Sequence, residues 1–216
     1  MTDRDYKAII FDIDGTLIDS LDVWADVDRQ FLSENGIAYS AEISNQLKCM
    51  HFVSASQFFI DTFKLDMSLE QVMYRITELV KQKYFHEVKL KPFVMEYIEA
   101  EYKNGTKMCA ATSNSKALAE GALRNLGLLD KLEFVLTSDD VNCGKESPLI
   151  FHRSAEMLGV SSEQVIVFED SVHAAETAKK AGFYTVGVYD EHYTHEFDKL
   201  KSVSDMTIKS FRELIA

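Results

Sequence analysis

Basic residues are scarce in this chain of 216 residues, and cysteine is scarcer still. Lysine and arginine number 23 against 35 aspartates and glutamates, which leaves a formal net charge of −12. General nucleic-acid binding needs a basic surface, so nucleic acid is excluded as an expected partner. Small phosphorylated molecules stay open, because a few local cations and a metal reverse the field inside one cleft. The three cysteines, Cys49, Cys109 and Cys143, form neither a CxxC pair nor a zinc-ligand spacing. So sparse and odd a set suits a reducing compartment. No run approaches the roughly 18 consecutive apolar residues that would span a bilayer, so no membrane partner is expected. Met1-Thr2-Asp3-Arg4-Asp5 lacks the charged-then-apolar profile of a signal peptide, and a cytoplasmic location is expected. The six histidines make no HxxxH pair, which argues against a histidine metal site. Internal repeats and low-complexity segments are missing as well.

What is present divides into two textures. Residues 92–216 alternate short apolar runs with helical patterns. The runs centre on Met108-Cys109-Ala110-Ala111, Phe134-Val135-Leu136, Val165-Ile166-Val167-Phe168 and Thr185-Val186, and residues 7–12 supply another. Each is short enough for a strand and apolar enough to be covered on both faces, as in a parallel sheet. Helices are expected from Ser115 to near Gly127, from Ser147-Pro148 to near Gly159 with the proline at the first helical position, and from Ser171 to Gly182. In the last of these, Ala174, Ala178 and Ala181 share a face that can lie close against a sheet. Alternating strand and helix predicts an α/β fold, a Rossmann-like, doubly wound parallel sheet. Residues 17–90 read as helical throughout, on the spacings of Trp24, Val27 and Phe31, of Phe58, Phe59 and Phe63, and of Leu69, Val72, Met73, Ile76, Leu79 and Val80. The expected organisation is a core of residues 1–16 and 91–216 with an inserted all-helical cap at 17–90. An insertion there follows the carboxyl end of the first strand, the edge where open α/β sheets bind ligands, and it can act as a lid.

The same carboxyl edge collects the chemistry. The first strand ends in Asp12-Ile13-Asp14-Gly15-Thr16, the next in Thr112-Ser113-Asn114, a later loop holds Gly144-Lys145, and another strand ends in Glu169-Asp170. Carboxylates at the rim of a core must be paired, metal-bound or neutralised. Several of them together with a substrate phosphate suit Mg²⁺, which takes hard oxygen ligands. A hydroxyl at a helix start, with free backbone N–H groups, can hold phosphate oxygens, and a lysine can neutralise the charge that develops on a transferring phosphoryl group. One aspartate can attack phosphorus while a second shuttles the proton. Asp139-Asp140 precedes Lys145 and is either that lysine's partner or an exposed loop pair.

In this order the four pieces, Asp12-Ile13-Asp14-Gly15-Thr16, Ala111-Thr112-Ser113-Asn114, Gly144-Lys145-Glu146-Ser147-Pro148 and Phe168-Glu169-Asp170-Ser171, resemble the haloacid dehalogenase superfamily of phosphatases. The closer resemblance is to the branch that contains beta-phosphoglucomutase and small sugar-phosphate phosphatases. It implies Asp12 as the nucleophile that forms an aspartyl-phosphate, and Asp14 as general acid and then base. It implies Ser113, Asn114 and Lys145 around the phosphoryl group, and a Mg²⁺ held by Asp12, Asp14 through its backbone carbonyl, Asp170, and Glu169 directly or through water.

Departures from the family pattern concern substrate. Beta-phosphoglucomutases resemble this chain around Gln46-Leu47-Lys48, but they continue to an arginine that grips a second phosphate. Here Phe52 stands at that place, and Trp24 stands where the mutase carries a histidine in its first cap helix. In the third piece Glu146-Ser147-Pro148-Leu149 replaces the usual Pro-x-Pro-Asp. The expected function is therefore Mg²⁺-dependent hydrolysis of a small phosphorylated metabolite, a sugar or polyol phosphate, by a monomer. Trp24, Lys48 and Phe52 would choose the substrate from the cap. A hexose-phosphate mutase and a non-catalytic phospho-ligand binder are the alternatives.

Overall fold

A computed structural model describes residues 6–47, 50 and 52–215. By contact density the chain divides into two compact units, Met1–Ser20 with Lys89–Ala216, and Leu21–Val88.

The first unit is built on β1 (Ala8–Phe11), whose four residues have no exposed surface. A strand so apolar must be covered on both faces, and it lies in the middle of a six-stranded sheet. The strand order is β5 (Val135–Thr137), β4 (Lys107–Thr112), β1, β6 (Val165–Glu169), β7 (Tyr184–Val188), β8 (Met206–Ile208), and all pairings are parallel. From β1 the chain runs outward through β4 to β5, then returns to the other side of β1 as β6. The topological switch point thus falls at the carboxyl end of β1, where open α/β sheets bind ligands.

Alternate residues of the central strands enter different packings. Ala8 and Ile10 of β1, Cys109 and Ala111 of β4, and Val165 and Val167 of β6 pack with Ile150, Phe151, Ala174 and Ala178. These last four lie on α8 (Leu149–Leu158) and α9 (Val172–Lys180). The expected small face of Ala174, Ala178 and Ala181 is part of this layer, and alanine there lets α9 approach the sheet closely. Phe11 instead stacks on Phe168 at 5.2 Å between ring centroids, and Phe168 stacks on Phe211 at 5.3 Å. Tyr97 of α5 (Val94–Lys103) closes that aromatic group, edge-on to Phe11. The remaining helices of this unit are α6 (Lys116–Asn125), the single turn α7 (Ser138–Val141) and α10 (Phe197–Val203).

The second unit is helical: α1 (Asp22–Glu34), α2 (Ala41–Leu47), α3 (Phe52–Phe63) and α4 (Leu69–His86). Val27 and Phe31 of α1, Phe59 of α3, and Val72, Ile76, Leu79 and Val80 of α4 form its buried side. Ser68 and Gln71 start α4 with a reciprocal capping box.

Two local expectations need correction. Residues 17–90 are not helical throughout: β2 (Ile18–Asp19) and β3 (Lys89–Leu90) pair antiparallel. Two-residue strands are too short to leave a period in the sequence. Pro148 sits at the N-cap of α8, one residue before the first helical position. Ser115 and Ser171 occupy N-cap positions, but neither side chain makes a capping bond.

Asp28, on α1, carries a pH prediction. Burial alone pushes its carboxyl from the ordinary 3.8 up to about 6. Between those values the folded chain holds a proton that the unfolded chain has released, so stability falls as pH rises and the loss is complete above about 6. A shift of this size is worth about 3 kcal/mol for a fully buried group, and partial solvent screening at Asp28 reduces it to about 2 kcal/mol or less. Asp28→Asn should therefore raise the melting temperature at pH 7.5 and leave it unchanged near pH 4. An equal shift at both pH values would refute the burial argument.

Candidate active site

Sheet register brings the first two carboxylates together. Phe11 is aligned with Phe168, and Asp12 N donates to Phe168 O at 2.9 Å, so Asp12 and Glu169 stand side by side at neighbouring strand ends. Asp170 follows directly. Asp12, Glu169 and Asp170 each offer an oxygen within 4.8 Å of the others, and all three residues are buried.

One cation balances this group. Lys145 Nζ donates to Asp12 Oδ1 in a very short bond and to Glu169 Oε1 at 2.6 Å. Burial by itself lowers the ammonium pKa, but Asp12 and Glu169 outweigh it and hold Lys145 above its usual range. Burial pushes the Asp12 carboxyl up, Lys145 pulls it down, and Glu169 and Asp14 push it up again; the net direction is up. Asp170 is driven well above the usual carboxylate range by burial, by Asp12 and by Glu169. Three buried carboxylates against one lysine leave an excess of negative charge.

A second observation points the same way. Asp12 Oδ2 is buried and has no hydrogen-bond partner among the described residues. A buried carboxylate oxygen left unbonded is costly unless something absent from the protein fills it. Hard oxygen donors in this number fit a divalent cation such as Mg²⁺, and the residues present are compatible with one.

The turn after β1 sets Asp14. Gly15 adopts φ +83°, which glycine supplies at little cost. Gly15 N donates to Ile18 O, while Leu17 N and Ile18 N both donate to Ile13 O. The Asp14 carboxylate accepts from Ser20 Oγ at 2.6 Å and lies 3.4 Å from Asn114 Nδ2. At the end of β4, Asn114 N donates to Thr112 Oγ1 and Ser115 N to Asn114 Oδ1. The Asn114 and Ser115 amides are thus bonded within the loop. Ser113 Oγ accepts from Ser138 Oγ at 3.3 Å.

A cavity of about 390 Å³ opens here, and its lining includes Asp12, Asp14, Ser113, Asn114, Lys145, Glu169 and Asp170. The structure thus brings together all seven core residues expected from sequence. Glu146 and His173 line it too and were not anticipated; the replacement of the usual proline by Glu146 was the only signal. Among the described residues no hydrogen bond or ion pair joins Asp139 or Asp140 to Lys145. Asp140 accepts from Thr137 N and caps α7.

Sequence gave no sign of Lys91. Its Nζ donates to Gly15 O at 2.7 Å, Tyr189 O at 2.9 Å and Asp190 Oδ2 at 2.7 Å, which uses all three ammonium protons. Burial works to raise the Asp190 carboxyl, but bonds from Lys91, His192 N and the His192 ring hold it below the usual range. Among the cap residues expected to choose substrate, Trp24 and Phe52 lie 6.5 Å apart between ring centroids in the helical unit, and Trp24 is exposed. Lys48 lies outside the described residues.

Residues 9–188 match the haloacid dehalogenase-like hydrolase family. The chain belongs to that family. It is 30% identical to a phosphorylated carbohydrates phosphatase of Thermotoga maritima over 176 residues, which is 82% of each chain. It is 27% identical to a fructose-1-phosphate phosphatase of Escherichia coli, over 85% of this chain and 96% of the other. Among solved structures it superposes on a Thermotoga maritima protein described as a beta-phosphoglucomutase, with a TM-score of 0.83, 27% identity and 94% of each chain covered. Within the family the chain is a phosphoric monoester hydrolase. Among the described residues no helix is long and apolar enough to cross a membrane.

Proposed function

We propose that this enzyme is a Mg²⁺-dependent phosphatase that hydrolyses a sugar or polyol monophosphate through an aspartyl-phosphate on Asp12. The observation that carries the reading is Asp12 itself, with one oxygen on Lys145, the other buried without a partner, and Glu169 and Asp170 beside it. The names of the phosphatase relatives support the substrate class.

Two displacements follow. An Asp12 carboxylate oxygen attacks phosphorus and the bond from phosphorus to the ester oxygen breaks. The Asp14 carboxyl gives its proton to that departing oxygen. Asp14, now ionised, takes a proton from a water whose oxygen attacks the same phosphorus; the bond to Asp12 breaks and inorganic phosphate leaves. Ser20 Oγ on Asp14 Oδ1 fixes the orientation of that acid/base. Ser113, Asn114 and Lys145 hold the phosphoryl oxygens, and Lys145 favours the ionised form of Asp12 against the burial that opposes it. Asp12, the Asp14 carbonyl, Glu169 and Asp170 would hold Mg²⁺, whose charge offsets the carboxylates and the substrate phosphate. We assign residues 17–90 as the cap and its Trp24, Lys48 and Phe52 as the residues that would choose the substrate. Phe52 in place of a second phosphate-gripping arginine favours hydrolysis over mutase chemistry.

Release of inorganic phosphate from p-nitrophenyl phosphate should require Mg²⁺, stop on chelation and return on readdition. Activity that survives full chelation would overturn the metal assignment. Interconversion of glucose phosphates faster than phosphate release would overturn hydrolysis.

A further inference from the structure

We infer that Glu146 is a specificity-determining residue that disfavours phosphate esters whose leaving group carries its own negative charge. This rests on the phosphatase reading and narrows its substrates to esters of neutral, hydroxylated alcohols.

The placement of the side chain is the first ground. Glu146 follows Lys145 directly and lines the same cavity as Asp12, Ser113 and Asp170. The residue is exposed. No hydrogen bond or ion pair engages its carboxylate among the described residues.

Gly144 supplies the second ground. A Cβ added there would stand 2.8 Å from the Glu146 carboxyl carbon and from Oε1, and closer still to Oε2. The Glu146 side chain therefore folds back along the loop into the space that a missing side chain leaves. It does not extend freely into water. With a larger residue at 144 the carboxylate could not occupy this position.

Electrostatics give the consequence. Every phosphate ester brings a phosphoryl group to this cavity, so repulsion by Glu146 at that group is common to all substrates. Any difference comes from the leaving group. A carboxylate or second phosphate about 7 Å from Glu146 would be disfavoured by about fiftyfold at a near-surface dielectric of about 20, and salt screening over about one Debye length brings this to about tenfold or less, whereas a neutral polyol is not disfavoured and can offer hydroxyl donors to the carboxylate. One exposed glutamate thus separates two substrate classes that present the same phosphoryl group.

The test compares kcat/KM for glycerol 3-phosphate with that for phosphoglycolate, whose leaving group is a carboxylate. In Glu146→Gln the ratio should fall about tenfold, which corresponds to about 1.4 kcal/mol. An exposed side chain without partners can be exchanged with little effect on melting, so the variant should fold normally. Gly144→Ala is an independent probe. Its methyl displaces the end of a flexible side chain and should move the ratio the same way by a smaller factor. The double variant should match Glu146→Gln, because with the charge gone there is nothing left to displace. An unchanged ratio in Glu146→Gln overturns the inference, as does a double variant in which the two effects add. If the wild type released phosphate from neither substrate nor from p-nitrophenyl phosphate, the phosphatase reading would fall instead.

Discussion

Asp12→Asn should lower phosphate release by about 10⁴-fold or more, because an amide cannot form the acyl-phosphate and no neighbouring group can replace it. Asp14 is engaged by Ser20, and Glu169 by Lys145. Stability should move in the opposite direction. Asp12, Glu169 and Asp170 crowd three carboxylates into a buried space with a single lysine. Replacing one of them by a neutral isostere relieves like-charge repulsion, so at pH 8 the metal-free variant should melt higher than the metal-free wild type. The same change should weaken the stabilisation that added Mg²⁺ confers, since Asp12 Oδ2 is one of the oxygens offered to it. Residual activity above about a thousandth of wild type would remove Asp12 from the mechanism. A loss of activity together with a fall in melting temperature would point to misfolding.

Lys91→Met should produce the largest loss of stability. The substitution keeps the length of the side chain and deletes three hydrogen bonds at once. It also strands Asp190, whose side chain is only 3 % exposed, with His192 as its remaining partner. Breaking a buried pair from one side costs about 3–5 kcal/mol, and His192 should keep the cost near the lower end. For a chain of this size that is roughly a 6–12 °C fall in melting temperature. Direction with pH follows from linkage. Without Lys91 the folded Asp190 carboxyl rises above its unfolded value, so its proton is held in the native state at low pH and stability is lost as pH rises. The deficit should thus be smaller at pH 5 than at pH 8. Lys91→Met with Asp190→Asn should recover much of it. A fall of under about 2 °C, or a double variant no better than the single, would show that the tether is idle.

Much of the fold was legible because a parallel sheet writes its strands as short, uninterrupted apolar runs. Ala8–Phe11, Lys107–Thr112 and Val165–Glu169 all appear where the sequence places them. The seven core site residues were legible because each follows such a run or lies in a loop beside one, and a parallel sheet gathers those ends on one edge. Other features left no trace for physical reasons. Met206–Ile208 is three residues long and too short for a period. Lys91 reads as one more surface lysine, because its acceptors are two backbone carbonyls and a carboxylate about 75 to 100 positions away along the chain. The bonding of the amides at Asn114 and Ser115 depends on side-chain rotamers that sequence does not specify. His173 and Glu146 became visible as cavity residues only once the loop carrying Lys145 and the start of α9 had been placed in space.

The β2–β3 pair has a consequence for how such an enzyme can change over evolutionary time. Ile18 is opposite Leu90 and Asp19 opposite Lys89, so the chain leaves the sheet-bearing unit and re-enters it at adjacent points. Whatever lies between residues 20 and 89 is spliced into the scaffold through a two-rung clasp, and its length places no strain on the strands. Insertions at such sites are tolerated because both ends are already held together. The helices there can be lengthened, shortened or exchanged wholesale without disturbing the acidic edge of the sheet.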